Sequence, residues 1–165
     1  MLRTVVTLAA LLVAGMAPAQ DRRDADRRDG DQTTLDDAMR IGGEWAGTYT
    51  CVQGVTAMRL RIELSRGREL KALMHFFAAS DNPDVPEGCF MLTGEFDQNG
   101  NVELIEDRWI VQPANYRMIG FEGAVNRDGQ SFGGRIIGPP GCTRFALTRA
   151  RAARPLPPAC EAAAK

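Results

Sequence analysis

Glu44-Trp45-Ala46-Gly47-Thr48-Tyr49-Thr50-Cys51 and Cys142-Thr143-Arg144-Phe145-Ala146-Leu147-Thr148-Arg149 are the two stretches on which the fold turns. Both have strand character, and one ends in a cysteine while the other begins with one. Laid antiparallel with Cys51 opposite Cys142, they bring Trp45 opposite Thr148 and beside Arg149. A single pairing then satisfies a disulfide and a Trp–Arg contact. First and last strands that pair with each other remove the free edges of a sheet, which predicts a closed barrel.

Between these ends the apolar pattern has a period of two. Met58-Arg59-Leu60-Arg61-Ile62-Glu63-Leu64 alternates apolar and charged residues, as a strand with one buried face requires. Further strands are expected near Glu69–Ala78, Cys89–Asp97, Asn101–Glu106, Tyr116–Val125 and Ser131–Ile137, about eight in all. Glycines inside these runs (Gly94, Gly120, Gly123, Gly133, Gly134) fit the tight coiling of a small cylinder. The predicted fold is all-β: a single eight-stranded antiparallel up-and-down barrel with a short N-terminal helix and disulfides. Thr34 caps that helix, Leu35 to Ile41, and Gly42-Gly43 stops it.

The connections divide into two poles. Ser65-Arg66-Gly67-Arg68, Asp97-Gln98-Asn99-Gly100 and Asn126-Arg127-Asp128-Gly129 read as tight turns at one end. The other end collects Cys51–Val55, the long Ala79–Gly88 segment, Asp107–Asn115 and Gly138-Pro139-Pro140-Gly141. Long irregular loops on a stiff scaffold are where binding surface normally lies. The candidate rim is therefore Gln53, Asn82, Asp84, Glu87, Arg108, Trp109 and Tyr116. Trp109 is read either as an exposed anchor for a partner or as a lid over the barrel mouth. The acids of the two longest loops favour a cationic partner.

Residues 1–19 read as an export signal: Met1-Leu2-Arg3, an apolar run from Thr4 to Met16, and the small-x-small site Ala17-Pro18-Ala19. That places the chain in the bacterial periplasm or outside the cell, without a membrane span in the mature form. Residues 20–34 form a charged tether in which Asp and Arg alternate and no large apolar residue helps to bury a core. Residues 35–149 are the barrel, and residues 150–165 are a Pro/Ala-rich tail.

Four cysteines in an oxidising compartment imply two disulfides, with three possible connectivities. Strand counting puts Cys51, Cys89 and Cys142 at the loop pole. An extended tail at about 3.1 Å per residue carries Cys160 back roughly 30 Å to that pole. Cys51–Cys142 and Cys89–Cys160 are thus the favoured pairs, the second clamping the tail.

The residues Gly43-Glu44-Trp45 after a short helix, with Arg149 closing the last strand, resemble the calycin arrangement of lipocalins, avidins and small bacterial metalloprotease-inhibitor barrels. The resemblance implies that Trp45 plugs one end and Arg149 packs across it. More specifically, Trp45-x-Gly47-x-Tyr49-x-Cys51-x-Gln53-Gly54, then Trp109-Ile110-x-x-Pro113-x-x-Tyr116, then Gly141-Cys142-x-x-Phe145-x-Leu147-x-Arg149, is similar to a group of secreted bacterial domains of uncharacterised function. It covers residues 43 to 149. It implies neither a catalytic residue nor a ligand, and Cys89 and Cys160 fall outside the shared pattern.

Composition narrows the function classes. The chain has 20 basic and 21 acidic residues, a balance that does not suggest nucleic acid. One histidine, His75, and widely spaced cysteines do not match a zinc pattern, so no metal and no cofactor are expected. His75 has no nucleophile near it in sequence, and Glu103, Glu106 and Asp107 read as solvated acids rather than a catalytic pair. The expected protein is a non-catalytic binder. Its leading function is recognition or inhibition of another envelope or secreted protein, such as a hydrolase, through the rim. The alternative is a small-molecule or glycan binder at the mouth, which an apolar cavity of roughly 300 Å³ or more would favour.

Overall fold

The computed structural model describes residues 36–65, 67–151 and 155–163, together with the single positions 23, 27 and 30. The export signal, the Thr34 cap and nearly all of the tether lie outside the described residues. A short helix α1 over 36–41 is followed by β1 (Gly43–Cys51), β2 (Gly54–Leu64), β3 (Glu69–Phe77), β4 (Gly88–Phe96), β5 (Asn101–Val111), β6 (Gly120–Val125), β7 (Ser131–Ile137), β8 (Arg144–Arg149) and a second short helix α2 (Pro158–Ala163). Every consecutive pair of strands is antiparallel, and β8 returns to β1 to close an eight-stranded barrel.

Alternation sorts the side chains. Met58, Leu60 and Ile62 of β2 point inward and are fully buried, while Arg59, Arg61 and Glu63 face out. Large residues fill the interior: Phe121, Phe132 and Phe145 form an edge-to-face chain with centroids 5.2 and 4.9 Å apart, and Trp45 meets Phe132 at 5.7 Å. The cylinder is too narrow for side chains at every inward position. A Cβ on Gly94 would lie 1.9 Å from the Glu103 carbonyl oxygen, and one on Gly47 would lie 2.0 Å from that of Ala146. Backbone approaches this close demand glycine.

The turn pole is sealed by α1. Trp45 Nε1 donates to the Ile41 carbonyl at 2.9 Å, and the guanidinium of Arg149 lies 4.0 Å over the Trp45 ring. The same guanidinium donates to the carbonyls of Arg40 and Gly42, and through Nε to Gly129 at 3.1 Å. A cation that satisfies the orphan carbonyls at a helix C-terminus also complements the helix dipole. One side chain therefore ties the first helix, the last strand and the β6–β7 turn together.

Five features differ from the sequence expectation. The closing register is displaced by one residue: Trp45 stands opposite Arg149, not Thr148. Cys142 lies outside the ladder, its amide donating to Pro139, so Cys51–Cys142 bridges a strand end to a loop instead of two paired strands. β2 begins at Gly54, which makes the β1–β2 connection a two-residue hairpin of Val52 and Gln53. β5 runs on to Val111, so Arg108 and Trp109 belong to a strand and not to a loop. Two bulges, with Asp107 and Ile110 as the extra residues, break its alternation and conceal it in the sequence. β6 starts at Gly120, which leaves Tyr116 in an irregular segment over 112–119.

Both favoured disulfides are present, Cys51–Cys142 and Cys89–Cys160. The tail reaches Cys89 not as an extended strap throughout but by turning into α2, with Pro158 at its first position. Two disulfides fit an extracellular or otherwise oxidising compartment. No helix among the described residues is long and apolar enough to cross a membrane.

Replacing Arg149 by Met retains bulk but removes hydrogen bonds from a charged donor to three carbonyls. Arg149→Met is expected to lower unfolding free energy by about 2–4 kcal/mol, read as a fall in the urea midpoint at unchanged slope.

Candidate functional site

At the loop pole the barrel opens into a cleft of about 340 Å³ between the β1–β2 hairpin, the 112–119 segment and the β7–β8 loop. Its walls are Tyr49, Val52, Gln53, Tyr116, Ile119, Pro139 and Pro140, with the Cys51–Cys142 disulfide at one side. Tyr49 is an inward residue of β1 and is almost wholly buried. Gln53 Nε2 reaches back to the Tyr49 hydroxyl at 3.5 Å and to Thr56 Oγ1 at 3.3 Å. Burial pushes the Tyr49 phenol up to about 12, against the opposing effect of its bond to Thr56. It is therefore neutral at physiological pH, a group that both donates and accepts. Tyr116 is also raised by burial.

Tyr116, one wall of the cleft, is backed by an aromatic cluster. Tyr116 stacks on Phe76 with centroids 5.4 Å apart and planes 9° from parallel, and Trp109 meets Phe76 and Phe90 edge-on at 6.3 and 5.0 Å. Asn115 turns the chain in the left-handed region at φ 64°, a conformation that Asn tolerates better than most residues. Arg117 is the one charged side chain among the residues lining the cleft.

The sequence-predicted rim residues are dispersed. Gln53 and Tyr116 meet in the cleft. Trp109 is half-buried behind them in the aromatic cluster, on β5 and outside the cleft lining. Asn82 is a bracket: its amide nitrogen donates to the carbonyls of Gln53 at 2.7 Å and Val55 at 3.0 Å, fixing the hairpin from the 78–87 loop. Asp84 is exposed away from the cleft lining. Glu87 bonds His75 on the outer wall at 2.7 Å. Arg108 is exposed on β5 beside Asp107, 3.0 Å away. Glu87 and Asp107 thus have separate partners, His75 and Arg108.

Tyr49, Ile119, Pro139 and Pro140 were not among the candidates. Tyr49 is readable from its spacing, four residues after Trp45 and two before Cys51, all on the inward side of β1. The prolines sat in a loop already assigned to this pole. Arg117 carried no signal, because its direction depends on the irregular path of 112–119.

A larger depression of about 790 Å³ lies on the outer wall near the turn pole, edged by Arg68, Glu95, Glu103, Glu122 and Arg135. Its edges are charged side chains of an open sheet surface, and Arg135 already pairs with Glu122. The apolar, three-sided mouth is the better-formed site. Among the described residues no group of three or more His, Cys, Asp or Glu side chains gathers in a way that would hold a metal ion.

Neither protein-family models nor curated proteins show a match to this chain. A solved structure described as the de novo design of a fluorescence-activating beta barrel is similar at 14% identity and a TM-score of 0.48, covering 70% of this chain and 98% of that one.

The chain has two tyrosines, both raised, so its phenols should ionise later than the usual value near 10 in a 295 nm titration. Because the folded state holds the Tyr49 proton to about 12, the native state binds more protons than the unfolded chain above pH 10. Stability therefore falls as pH rises from about 10 to about 12, by about 2–3 kcal/mol from this group. Tyr49→Phe should abolish that part of the decline in urea midpoint.

Proposed function

We propose that the protein is a non-catalytic binder that takes a small, largely apolar ligand with a hydrogen-bonding head at the mouth of its barrel. The observation that carries this reading is the cleft of about 340 Å³ above a filled interior, within the size range of small-molecule sites. Tyr49 and Gln53 supply neutral polar contacts, Tyr116, Pro139 and Pro140 supply flat apolar walls, and Arg117 favours an acceptor or anionic head over a cationic one. A filled barrel excludes a large cargo, so the ligand is held at the entrance rather than swallowed. The stacked Phe76–Tyr116 pair and the Asn82 bracket keep the walls in place before binding, which lowers the ordering cost.

The same reading takes the chain as calycin-like, on Gly43-Glu44-Trp45 and the Arg149 clasp, and as an exported bacterial protein of the periplasm or exterior, on its N-terminal signal pattern. A second reading keeps a protein partner, such as an envelope hydrolase. It is favoured by Val52, which stands 82% exposed at the hairpin tip on the edge of the cleft. An apolar side chain at such a tip suits insertion into a partner's groove.

Titration of the mature protein with a medium-chain carboxylate, the matching alcohol and the matching amine, followed by calorimetry, separates these readings. The expected order is carboxylate, alcohol, amine. Tyr116→Ala should weaken all binding tenfold or more, and Arg117→Met should bring the carboxylate down to the level of the alcohol. Absence of binding by all three, or binding indifferent to Tyr116→Ala, would refute the mouth as the site.

A further inference from the structure

A second apolar cluster lies outside the barrel, where Leu73, Cys89 and Cys160 are buried together and Met91, Ile110, Val111 and Leu156 pack around them. Among the described residues the tail supplies Leu156 and Cys160 to this cluster, and α2 has six residues. A helix so short has little stability of its own. The covalent link from Cys160 to Cys89 is thus the main restraint holding the tail over the β3–β5 wall.

Beside that link stands the chain's one histidine. His75 is on the outer face of β3, is fully buried, and is the direct cross-strand partner of Cys89 in β4. Directly opposite residues on one face of an antiparallel pair have Cβ atoms about 4.5–5.5 Å apart. The ring is held at Nε2 by Glu87 Oε1, 2.7 Å away, and stands 5.1 Å from the Phe77 ring. Arg59 of β2 is its cross-strand neighbour on the other side, and Glu161 follows Cys160 in α2. Sulfur, imidazole and carboxylate therefore follow one another on the outer wall. Burial among apolar side chains disfavours a thiolate, and this order of groups opposes that effect: a neighbouring imidazolium favours the charged sulfur, and the carboxylate favours the imidazolium.

We infer that Cys89–Cys160 is a thiol–disulfide exchange site, in which His75 and Glu87 stabilise the Cys89 thiolate, and that its reduction by a protein or small-molecule dithiol releases the tail. Both sulfurs are buried when the tail is docked, so the exchange proceeds from a local opening of the short α2, in which one thiolate of the dithiol attacks Cys160 Sγ. The Cys89–Cys160 bond breaks, its electron pair leaves on Cys89 Sγ, and a mixed disulfide forms with Cys160. The second thiolate of the reagent attacks its own mixed-disulfide sulfur and expels Cys160. The dithiol ends as a disulfide, the protein as two thiols, and the two protons pass from reagent to product, that of Cys89 shared with His75. Stabilising the reduced form raises the potential of a disulfide, making it the easier one to open. Opening uncovers Leu73, Met91, Ile110 and Val111 as a new apolar face. Cys51–Cys142 has no imidazole beside it, since His75 is the chain's one histidine, and serves as the internal reference. This inference does not depend on the mouth cleft.

The test equilibrates the whole protein with graded mixtures of reduced and oxidised dithiothreitol, traps thiols by alkylation and maps the peptides. Cys89–Cys160 is expected to open at a reagent ratio at least tenfold less reducing than Cys51–Cys142, about 30 mV for two electrons. Glu87→Gln and His75→Gln should each shrink that gap threefold or more and flatten the pH dependence of the opening rate between pH 5 and 8. The Glu87 side chain is 46% exposed, so its variant decides the matter if His75→Gln does not fold. Coincident opening of the two disulfides, or a gap and pH profile unchanged in Glu87→Gln, would overturn the proposal. So would a failure of Cys89–Cys160 opening to raise the fluorescence of an apolar-surface dye.

Discussion

The pairing of β8 with β1 is the constraint on which the rest of the structure depends. Without it the barrel would be an open sheet of eight strands with two unsatisfied edges. With it, each described strand has hydrogen-bonded neighbours on both sides. The pairing is reinforced at both poles by contacts that span almost the whole core. At the turn pole Arg149 reaches the carbonyls of Arg40 and Gly42 from the far end of the sequence. At the loop pole Cys51–Cys142 closes a separation of 91 residues. Contacts between such distant residues form only after a large loop-closure cost, so this fold is cooperative by construction.

Closure also decides what each face of the wall can do. The interior is occupied by aromatic and aliphatic side chains, and the open space lies at the mouth. There, the irregular 112–119 segment and the β7–β8 loop supply walls that no strand could. The outer wall carries a different feature, a tail docked by a disulfide over a small apolar patch. The two poles and the wall thus differ in build: one is sealed, one is open, and the wall carries an attached tail.

Much of this was legible because alternation is a strong signal where one face is buried and the other wet. The run from Met58 to Leu64, the eight-strand count, the two disulfides and the clasp between Trp45 and Arg149 all follow from spacing. The closing register differs by one residue from what the cysteine pair suggests, because Cys142 sits in the turn before β8 and not on the strand. β5 was cut short because its bulges place Glu106, Asp107 and Arg108 in succession and erase the period of two. That error carried Trp109 from a strand into a loop, and with it the expectation of an exposed aromatic anchor. The cleft was only half visible: Gln53 and Tyr116 were named, but the direction of Arg117 is a property of three-dimensional path and leaves no trace in pattern.

The glycines that let the backbones touch have an implication for how such a protein diversifies. At Gly47 and Gly94 the space for a side chain is already filled by a neighbouring carbonyl, so the girth of the cylinder is set by main-chain contact rather than by the choice of core residues. Mutational drift at these positions cannot hollow out the interior. Under the proposed binding role, new specificities arise by exchanging the segments that border the entrance, leaving the staves untouched.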